Sequence, residues 1–359
     1  MEDLQERNQR IIDAVIQKAN NEYPGTLAMI GIYGSFVTGD IHEKSDLDLL
    51  VLINDCKGWN LGCTFIQDDL HVGHDIYCTT WENLEHDSLY EHPNISKLMD
   101  SKIVYCADEA YYKRLDMLRK QANDILTSPF SKKDYVKAEN MLRETEHYYT
   151  TAMISEDMSD VLEGAGGVVY YVENAVAMLN KQYFHYGTKR TYEELEAMKN
   201  KPENLVEIIE SIVLADSVMK VKEQLTLLLK EMKVLFQKVH ETVSLQKKAA
   251  APDVLKGTYE EMYSNWRNKM YYAAKTNNRH LAFMCLVSLN AMFSEISNES
   301  DIGNYNVWCG YDSQNLQKTA EIADNVIGEY LKEYEKAGLK SEHYSDIETF
   351  VAKYLNFAR

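Results

Sequence analysis

The chain has 359 residues, of which 45% are hydrophobic, and this is enough for two or three domains with buried cores. Its formal net charge is −18, from 38 Lys and Arg against 56 Asp and Glu. Proteins that bind a nucleic-acid backbone normally carry a basic surface, so this balance argues against a nucleic-acid partner. It is compatible with a small cationic partner.

The cysteines and the apolar segments bear on the cellular compartment. The six cysteines show no CxxC pair and no metal-like spacing: Cys56, Cys63, Cys78, Cys106, Cys285 and Cys309. Scattered thiols in a chain of this size predict a reducing compartment, without disulfides or structural zinc. The first residues, MEDLQERNQR, lack an apolar segment, so we expect no signal peptide. No uninterrupted apolar run reaches the roughly 18 residues of a membrane span, so we expect a cytoplasmic protein without a membrane partner.

Helical and strand patterns alternate over the first hundred residues. Apolar residues at helical spacing predict one helix over 2–21 and another over about 79–100. Short apolar runs, several of them rich in β-branched residues, predict strands over 27–33, 47–53, 71–78 and 102–106. Such alternation is typical of a small α/β domain.

Long helical patterns dominate the chain from about residue 109 onward. They predict helices over 109–127, 132–155, 161–185, 203–214, 216–242, 258–276, 278–297, 313–336 and 343–357. The segment 243–257 contains Pro252 and is interpreted as a connection between helical units. The predicted fold class is therefore α+β, with a small mixed-sheet domain over 1–108, a helical bundle over 109–250 and a further helical domain over 251–359.

Two carboxylates with one residue between them precede the run LLVLI. Side chains alternate along a strand, so Asp46 and Asp48 are predicted to project from the same face. Close carboxylates repel each other, and a bound cation relieves that repulsion. Magnesium prefers such oxygen ligands and often bridges carboxylates to substrate phosphates. Upstream, the turn Gly34-Ser35 would let backbone N–H groups and a hydroxyl approach a phosphate.

A third oxygen ligand is expected from the strand pattern HVGHDIYC. If this strand pairs beside the first, Asp75 joins Asp46 and Asp48 in a site for two magnesium ions. The neighbouring His71 and His74 are interpreted as surface or packing residues.

These residues resemble a known motif. The stretch IYGSFVTGDIHEKSDLDLLVLI, with Gly34-Ser35 followed after ten residues by Asp46-Leu47-Asp48, resembles the DNA polymerase beta-like nucleotidyltransferase superfamily. It looks most like the branch that modifies aminoglycoside and lincosamide antibiotics. The resemblance covers about residues 28–106. It implies that Asp46, Asp48 and Asp75 bind the metals and that Gly34 and Ser35 hold a nucleoside triphosphate, although family members often carry Glu at the third position.

The resemblance also implies a general base in the helical part, which acts on the acceptor hydroxyl. Glu173 is the favoured candidate, because it lies in the otherwise apolar stretch YYVENAVAMLNKQY, where burying a carboxylate is costly. Glu144 and Glu146 are the other candidates, on a helix whose polar face suggests solvation. The stretch LNKQYFHYGTKR over 179–190 resembles a helix end in related transferases at which a lysine approaches the nucleotide phosphates, and Lys189 is the candidate for that lysine.

The predicted function is a magnesium-dependent nucleotidyltransferase of the adenylyltransferase type. It would transfer a nucleoside monophosphate, AMP from ATP or the equivalent from another triphosphate, to a hydroxyl of a small acceptor such as an aminoglycoside-like antibiotic. Two alternatives stay open: a regulator or antitoxin of the same superfamily that nucleotidylates a protein, and a non-catalytic nucleotide-binding scaffold. A homodimer is an open alternative to a monomer.

Overall fold

The computed structural model describes residues 4–243 and 248–356. The chain divides into two compact units, Met1–Val243 and Ser244–Arg359. The predicted connection over 243–257 includes residues 244–247, which lie outside the described residues, as do the first residues of the helix predicted over 2–21 and the last of that over 343–357. The predicted three-domain division stays a prediction.

A four-stranded mixed sheet forms the centre of the N-terminal part. The strands are β1 (Leu27–Ile32), β2 (Leu49–Ile53), β5 (Cys78–Thr80) and β6 (Lys102–Cys106), in the order β5-β2-β1-β6. β1 pairs antiparallel with both β2 and β6, whereas β5 runs parallel to β2. A separate hairpin is made by β3 (Cys63–Gln67) and β4 (Val72–Ile76). This sheet, followed by a large helical region, confirms the predicted α+β class.

The central strand β2 is buried on both faces. Leu49, Val51 and Ile53 pack toward α1 (Leu4–Glu22), which contributes Ile12 and Val15 to the same core. Leu50 and Leu52 alternate with them and belong to a second core that continues into the helices of this unit. Burial on both sides explains why the strand reads LLVLI without polar alternation.

Two predicted elements are each broken into two. The strand predicted over 71–78 is β4 and β5, because the chain leaves its pairing with β3 at Ile76 and pairs with β2 from Cys78. The helix predicted over about 79–100 is wrong as one element: it is α3 (Trp81–Ser88) and α4 (Ser96–Met99). Between them lie Pro93, which disfavours helix at the residue before it, and Tyr90 with φ 53°.

The remaining elements of this unit are helices. They are α2 (Ser35–Thr38), α5 (Glu109–Thr127), α6 (Lys132–Ile154), α7 (Met158–Leu179), α8 (Thr191–Ala197), α9 (Leu205–Val213) and α10 (Val218–Val243), with two 3₁₀ helices at Cys56–Leu61 and Gly187–Arg190. α6 and α7 pack closely where a Cβ at Gly164 would lie 2.7 Å from the carbonyl oxygen of Tyr148. α7 ends at Leu179, earlier than predicted, and Lys181 has φ 51° just beyond it. The chain then crosses back toward the sheet.

The second unit is helical around its own core. It contains α11 (Pro252–Leu255), α12 (Thr258–Glu261), a π-helical turn (Met262–Arg267), α13 (Asn268–Lys275), α14 (Arg279–Glu299), α15 (Leu316–Lys336) and α16 (Ile347–Asn356). Residues 248–249 (β7) and 300–301 (β8) form a short parallel pair. Leu286, Leu289 and Tyr330 are among its fully buried residues.

One described helix is long and apolar enough to cross a membrane by length and composition. It spans Arg279–Asn298. Its most apolar 18-residue stretch has a mean hydropathy of 1.3, and 33% of that stretch is buried. The search of the sequence for uninterrupted apolar runs missed it. The core helix of a water-soluble protein passes the same test, so a single helix of this kind is weak evidence for a membrane span. The cytoplasmic location stays a prediction.

Candidate active site

The turn Gly34-Ser35 follows β1 and lies against Asp48, the second carboxylate of the predicted pair. Gly34 has φ 65° and ψ −145°, a conformation that residues with a side chain rarely adopt. A Cβ at this position would lie 2.0 Å from Oδ2 of Asp48. The Val37 and Thr38 N–H groups both donate to the Gly34 carbonyl, which makes α2 a single helical turn. Gly34 therefore provides the space that the Asp48 carboxylate occupies.

Asp46 and Asp48 lie just before β2 and not within it, because the strand begins at Leu49. The predicted strand over 47–53 is thus two residues too long at its start. The alternation persists all the same: Leu47 is buried, Asp48 is half-buried and Asp46 is exposed. The Tyr33 N–H donates to the Asp48 carbonyl at 3.1 Å and extends the β1–β2 ladder by one residue. This backbone bond holds Asp48 in line with the strand.

The charge of Asp46 acts on the Asp48 carboxylate. Burial raises the pKa of Asp48 first, and the charge of Asp46 raises it further. A hydrogen bond from the Ser35 N–H and the charges of Lys189 and Lys97 oppose that rise in pKa. Burial, followed by the charges of Asp48 and Asp46, raises the pKa of Tyr33 to about 12. The turn and the carboxylate pair therefore form one electrostatic unit.

A buried arginine on α1 fixes the loop that leads into this pair. Arg7 is 4% exposed, and its Nη2 donates to the carbonyl of Ser45 at 2.8 Å. The same guanidinium donates to Asn8 Oδ1 from Nε at 3.1 Å and from Nη2 at 2.9 Å. Ser45 is buried and immediately precedes Asp46. The sequence analysis missed this link, because it joins residues 38 positions apart and leaves no local pattern.

Asp75 is placed differently from the other two carboxylates. It lies in β4 opposite Thr64 of β3, and it is exposed. β5 aligns Cys78 with Val51, and continuing this parallel register back by three residues would align Asp75 with Asp48. However, Asp46, Asp48 and Asp75 do not form a group of three at metal-ligand spacing in the part of the chain that the structure describes. The role of Asp75 as third ligand stays a prediction.

His74, next to Asp75, points into the protein. It is 3% exposed, its ring stacks on Phe65 at 4.8 Å, and its Nε2 lies 3.3 Å from Oε1 of Gln67. Burial, and then the charge of Arg7, lowers its pKa. A neutral, stacked ring of this kind is a packing residue.

The segment after α7 brings cations to the turn. Tyr183 Oη donates to Asp100 at 2.7 Å and anchors the segment to the end of α4. Lys189 Nζ donates to the carbonyl of Asp40 at 3.5 Å, and Arg190 Nη1 lies 3.9 Å from the Asp40 carboxylate. Lys189 also affects the pKa of Asp48. The structure thus brings Lys189 to the motif that contains Gly34, Ser35 and Asp48.

Glu173 lies on α7 and is half-buried. Burial alone raises its pKa to about 7, and its charge contributes to the raised pKa of Tyr192. One turn earlier, Tyr170 Oη accepts a hydrogen bond from Asn94 Nδ2 at 3.2 Å, so this face of α7 borders the loop between α3 and α4. Glu144 and Glu146 are exposed on α6. The role of Glu173 as general base stays a prediction.

A different cluster has the spacing of metal ligands and was missed by the sequence analysis. Ligand atoms of His86, Asp87 and His92 lie within 4.8 Å of one another at the end of α3. The Asn94 N–H donates to Nδ1 of His92 at 3.2 Å, and Nε2 faces Asp87 Oδ1 at 3.4 Å. This places the ring proton on Nε2, the atom that would have to coordinate the metal. The arrangement is therefore a close contact between a histidine and an aspartate, and we assign no metal to it.

Comparison with known proteins supports a general activity for the first part of the chain. Residues 11–105 match the family model of the nucleotidyltransferase domain, and this range includes Gly34, Ser35, Asp46, Asp48 and Asp75. The match spans under a third of the chain and supports nucleotidyl transfer in general terms. It also supports a nucleoside triphosphate as substrate.

Other comparisons add no functional information. A search of curated proteins finds no match. A solved structure, a nucleotidyltransferase-like protein from Exiguobacterium sibiricum 255-15, aligns over 75% of this chain and 91% of that one, at 9% identity with a TM-score of 0.37. A TM-score this low supports no conclusion about fold or function.

We expect Gly34→Ala to weaken divalent cation binding strongly, because the new Cβ would displace the Asp48 carboxylate. Gly39→Ala is the control, since Gly39 also has a positive φ of 87° but would place its Cβ in open space. Both variants carry backbone strain of about 1 kcal/mol or more. Titration with Mn²⁺, followed by electron paramagnetic resonance, should show loss of affinity in the first variant only. Equal affinities in the two variants would contradict the assigned role of Gly34.

Proposed function

We propose that this protein is a magnesium-dependent nucleotidyltransferase that transfers a nucleoside monophosphate, AMP from ATP, to a hydroxyl group of a small acceptor. The observation that carries the proposal is the pairing of Asp46 and Asp48 beneath the Gly34-Ser35 turn, inside the segment that matches the nucleotidyltransferase domain. A carboxylate pair alone is common on protein surfaces. A pair that is half enclosed by a glycine turn is a more specific arrangement.

The residues present fit a divalent cation. Asp46 and Asp48 offer hard oxygen ligands. Burial, and then the charge of Asp46, raises the pKa of Asp48, and a bound cation would oppose both effects. Asp46 and Asp48 would hold up to two magnesium ions, with Asp75 as the proposed third ligand. Bound magnesium supplies charge neutralisation and orientation for the triphosphate.

The turn and the segment after α7 would hold the phosphates. The Ser35 hydroxyl and the backbone N–H groups of the turn are donors of the kind that bind phosphate oxygens. The Ser35 N–H donates to Asp48 in this structure, so that hydrogen bond would be exchanged when a phosphate enters. Lys189 would add a positive charge, since it already lies close enough to affect Asp48.

The proposed chemistry balances without a further reactant. The acceptor oxygen forms a bond to the α-phosphorus while the bond from that phosphorus to the pyrophosphate oxygen breaks. Glu173 takes the hydroxyl proton, and a base with a pKa of about 7 suits this step at neutral pH. Pyrophosphate leaves with the electron pair of the broken bond.

The net charge of −18 and the resemblance to antibiotic-modifying enzymes favour a cationic, aminoglycoside-like acceptor. On this proposal the protein would confer antibiotic resistance in the cytoplasm. Two different outcomes of an acceptor screen would replace this choice: a covalently nucleotidylated protein, or tight ATP binding without turnover on any acceptor.

The proposal is tested by pyrophosphate release with four triphosphates against a panel of aminoglycosides, lincosamides and other hydroxylated compounds. Asp46→Asn and Asp48→Asn should each reduce turnover about 100-fold or more, because cation binding contributes several kcal/mol to transition-state stabilisation. Asp69→Asn, which changes an exposed loop carboxylate, should leave turnover unchanged. Full activity in both Asp46 and Asp48 variants would contradict the proposal.

Glu173→Gln should leave triphosphate binding intact and lower the transfer rate by about 100- to 10,000-fold, the usual contribution of a general base. In the wild type the rate should rise with pH through about 7, because the base acts in its ionised form. The variant should lose this rise. Glu144→Gln, an exposed position on α6, serves as the control in the same pH–rate measurement.

The same substitution has a predicted effect on stability. Burial raises the pKa of Glu173 above its unfolded value, so the folded state binds the proton more tightly. The resulting stabilisation is present below the unfolded pKa and is lost as the pH rises through about 7. Thermal melting at pH 6 and pH 8 should therefore differ less for Glu173→Gln than for the wild type. A wild-type pH dependence that persists in the variant would contradict this assignment.

A further inference from the structure

A second lysine faces the same site and has no assigned role. Lys97 lies in the short helix α4, and its Nζ is 5.5 Å from the ring centroid of Tyr33. Tyr33 immediately precedes the Gly34-Ser35 turn, and its N–H is bonded to the Asp48 carbonyl. The contact with Tyr33 places the ammonium beside the residue that precedes the turn, and its charge is one of those that act on the Asp48 carboxylate.

The Lys97 ammonium is half-buried without an oxygen partner. In residues 4–243 and 248–356, its contact is the cation–π interaction with Tyr33, and no hydrogen bond or ion pair within 4.0 Å is formed by its Nζ. Burial lowers its pKa, and the charges of Asp87 and Asp48 partly offset that effect. An ammonium with three unused donors in a partly desolvated position is costly unless an anion satisfies it.

Lys97 and Lys189 differ in whether the ammonium has an oxygen partner. Lys189 already donates to the carbonyl of Asp40. Lys97 comes from a different element, on the side of the turn where Tyr33 lies. An anion in the Gly34-Ser35 turn would therefore be within the field of both charges, and Lys97 is the one with all of its donors available.

We propose that Lys97 binds phosphate oxygens of the nucleoside triphosphate at the Gly34-Ser35 turn. This inference rests on the proposed function, since it assigns a further residue to the same site. Lys97 then has two partners in turn. Before the triphosphate binds, it partly neutralises Asp48 and Asp87; afterwards its ammonium donates to the phosphates.

A simpler role would be to neutralise the nearby carboxylates only, and the two roles predict different changes in affinity. If Lys97 binds phosphate, its removal weakens polyphosphate binding while cation binding stays the same or tightens, because a competing positive charge has been removed. If Lys97 only compensates charge, its removal changes cation affinity and leaves polyphosphate affinity as it was.

The experiment is calorimetric titration of the full chain with inorganic tripolyphosphate in the presence of Mg²⁺, and separately with Mn²⁺ alone. Tripolyphosphate presents three phosphates without a base or sugar. Lys97→Met should weaken its binding about 10- to 100-fold, the usual range for a lost hydrogen bond to a charged group, while Mn²⁺ affinity is unchanged or higher. Lys97→Arg should recover most of the loss.

Lys102→Met is the charge-matched control, because Lys102 is exposed on β6. It should bind tripolyphosphate as the wild type does. Thermal melting of each variant shows whether it is folded at the temperature of the titration.

Three results would overturn the inference: absence of tripolyphosphate binding in the wild type, equal binding in Lys97→Met and the wild type, or a proportional loss of tripolyphosphate and Mn²⁺ affinity. The proposed function fails separately. Lys97-dependent binding of tripolyphosphate without pyrophosphate release on any acceptor would reject the proposed transfer and support the role of Lys97. Pyrophosphate release together with unchanged tripolyphosphate binding in Lys97→Met would support the transfer and reject the role of Lys97.

Discussion

The partial burial of Asp48 beside a second carboxylate, Asp46, is the constraint on which the site depends. Asp48 is half-buried, and its pKa is raised by burial and by the charge of Asp46. Its carboxylate has room only because Gly34 lacks a Cβ. We propose that a divalent cation compensates for the free-energy cost of this arrangement. The Ser35 N–H and the charges of Lys189 and Lys97 act in the same direction, because they lower the pKa of Asp48.

Several elements of the fold position Asp46 and Asp48. β2 is buried on both faces, so the strand that follows Asp48 cannot shift without exposing apolar side chains. Arg7 on α1 fixes the carbonyl of Ser45, just before Asp46. The segment after α7 and the short helix α4 add Lys189 and Lys97 near Asp48. Elements distant in sequence thus supply the rigid support and the balancing charge.

Much of the fold and part of the site could be predicted from the sequence. β6 and α5 have the predicted boundaries, because their apolar spacing is strong and their ends are marked by polar residues. The predicted helix over 79–100 failed because Pro93 and a positive φ at Tyr90 outweigh its apolar periodicity. The local motif placed Gly34 and Asp48 in one site, but it did not predict that Gly34 makes room for the Asp48 carboxylate. The contacts of Arg7 and Lys97 were not, because they depend on tertiary packing between elements that no local pattern connects.

We propose that Asp46 and Asp48 form one coupled site for a divalent cation. Carboxyl-carbon nuclear magnetic resonance of the free protein, with aspartates labelled with ¹³C, measures this coupling directly. In the wild type without Mg²⁺, we expect the pKa of Asp48 to lie above its ordinary value. It should be lower in the Asp46→Asn variant, and it should also fall when Mg²⁺ is added to the wild type. An ordinary pKa for Asp48 that responds neither to Asp46→Asn nor to Mg²⁺ would contradict the account.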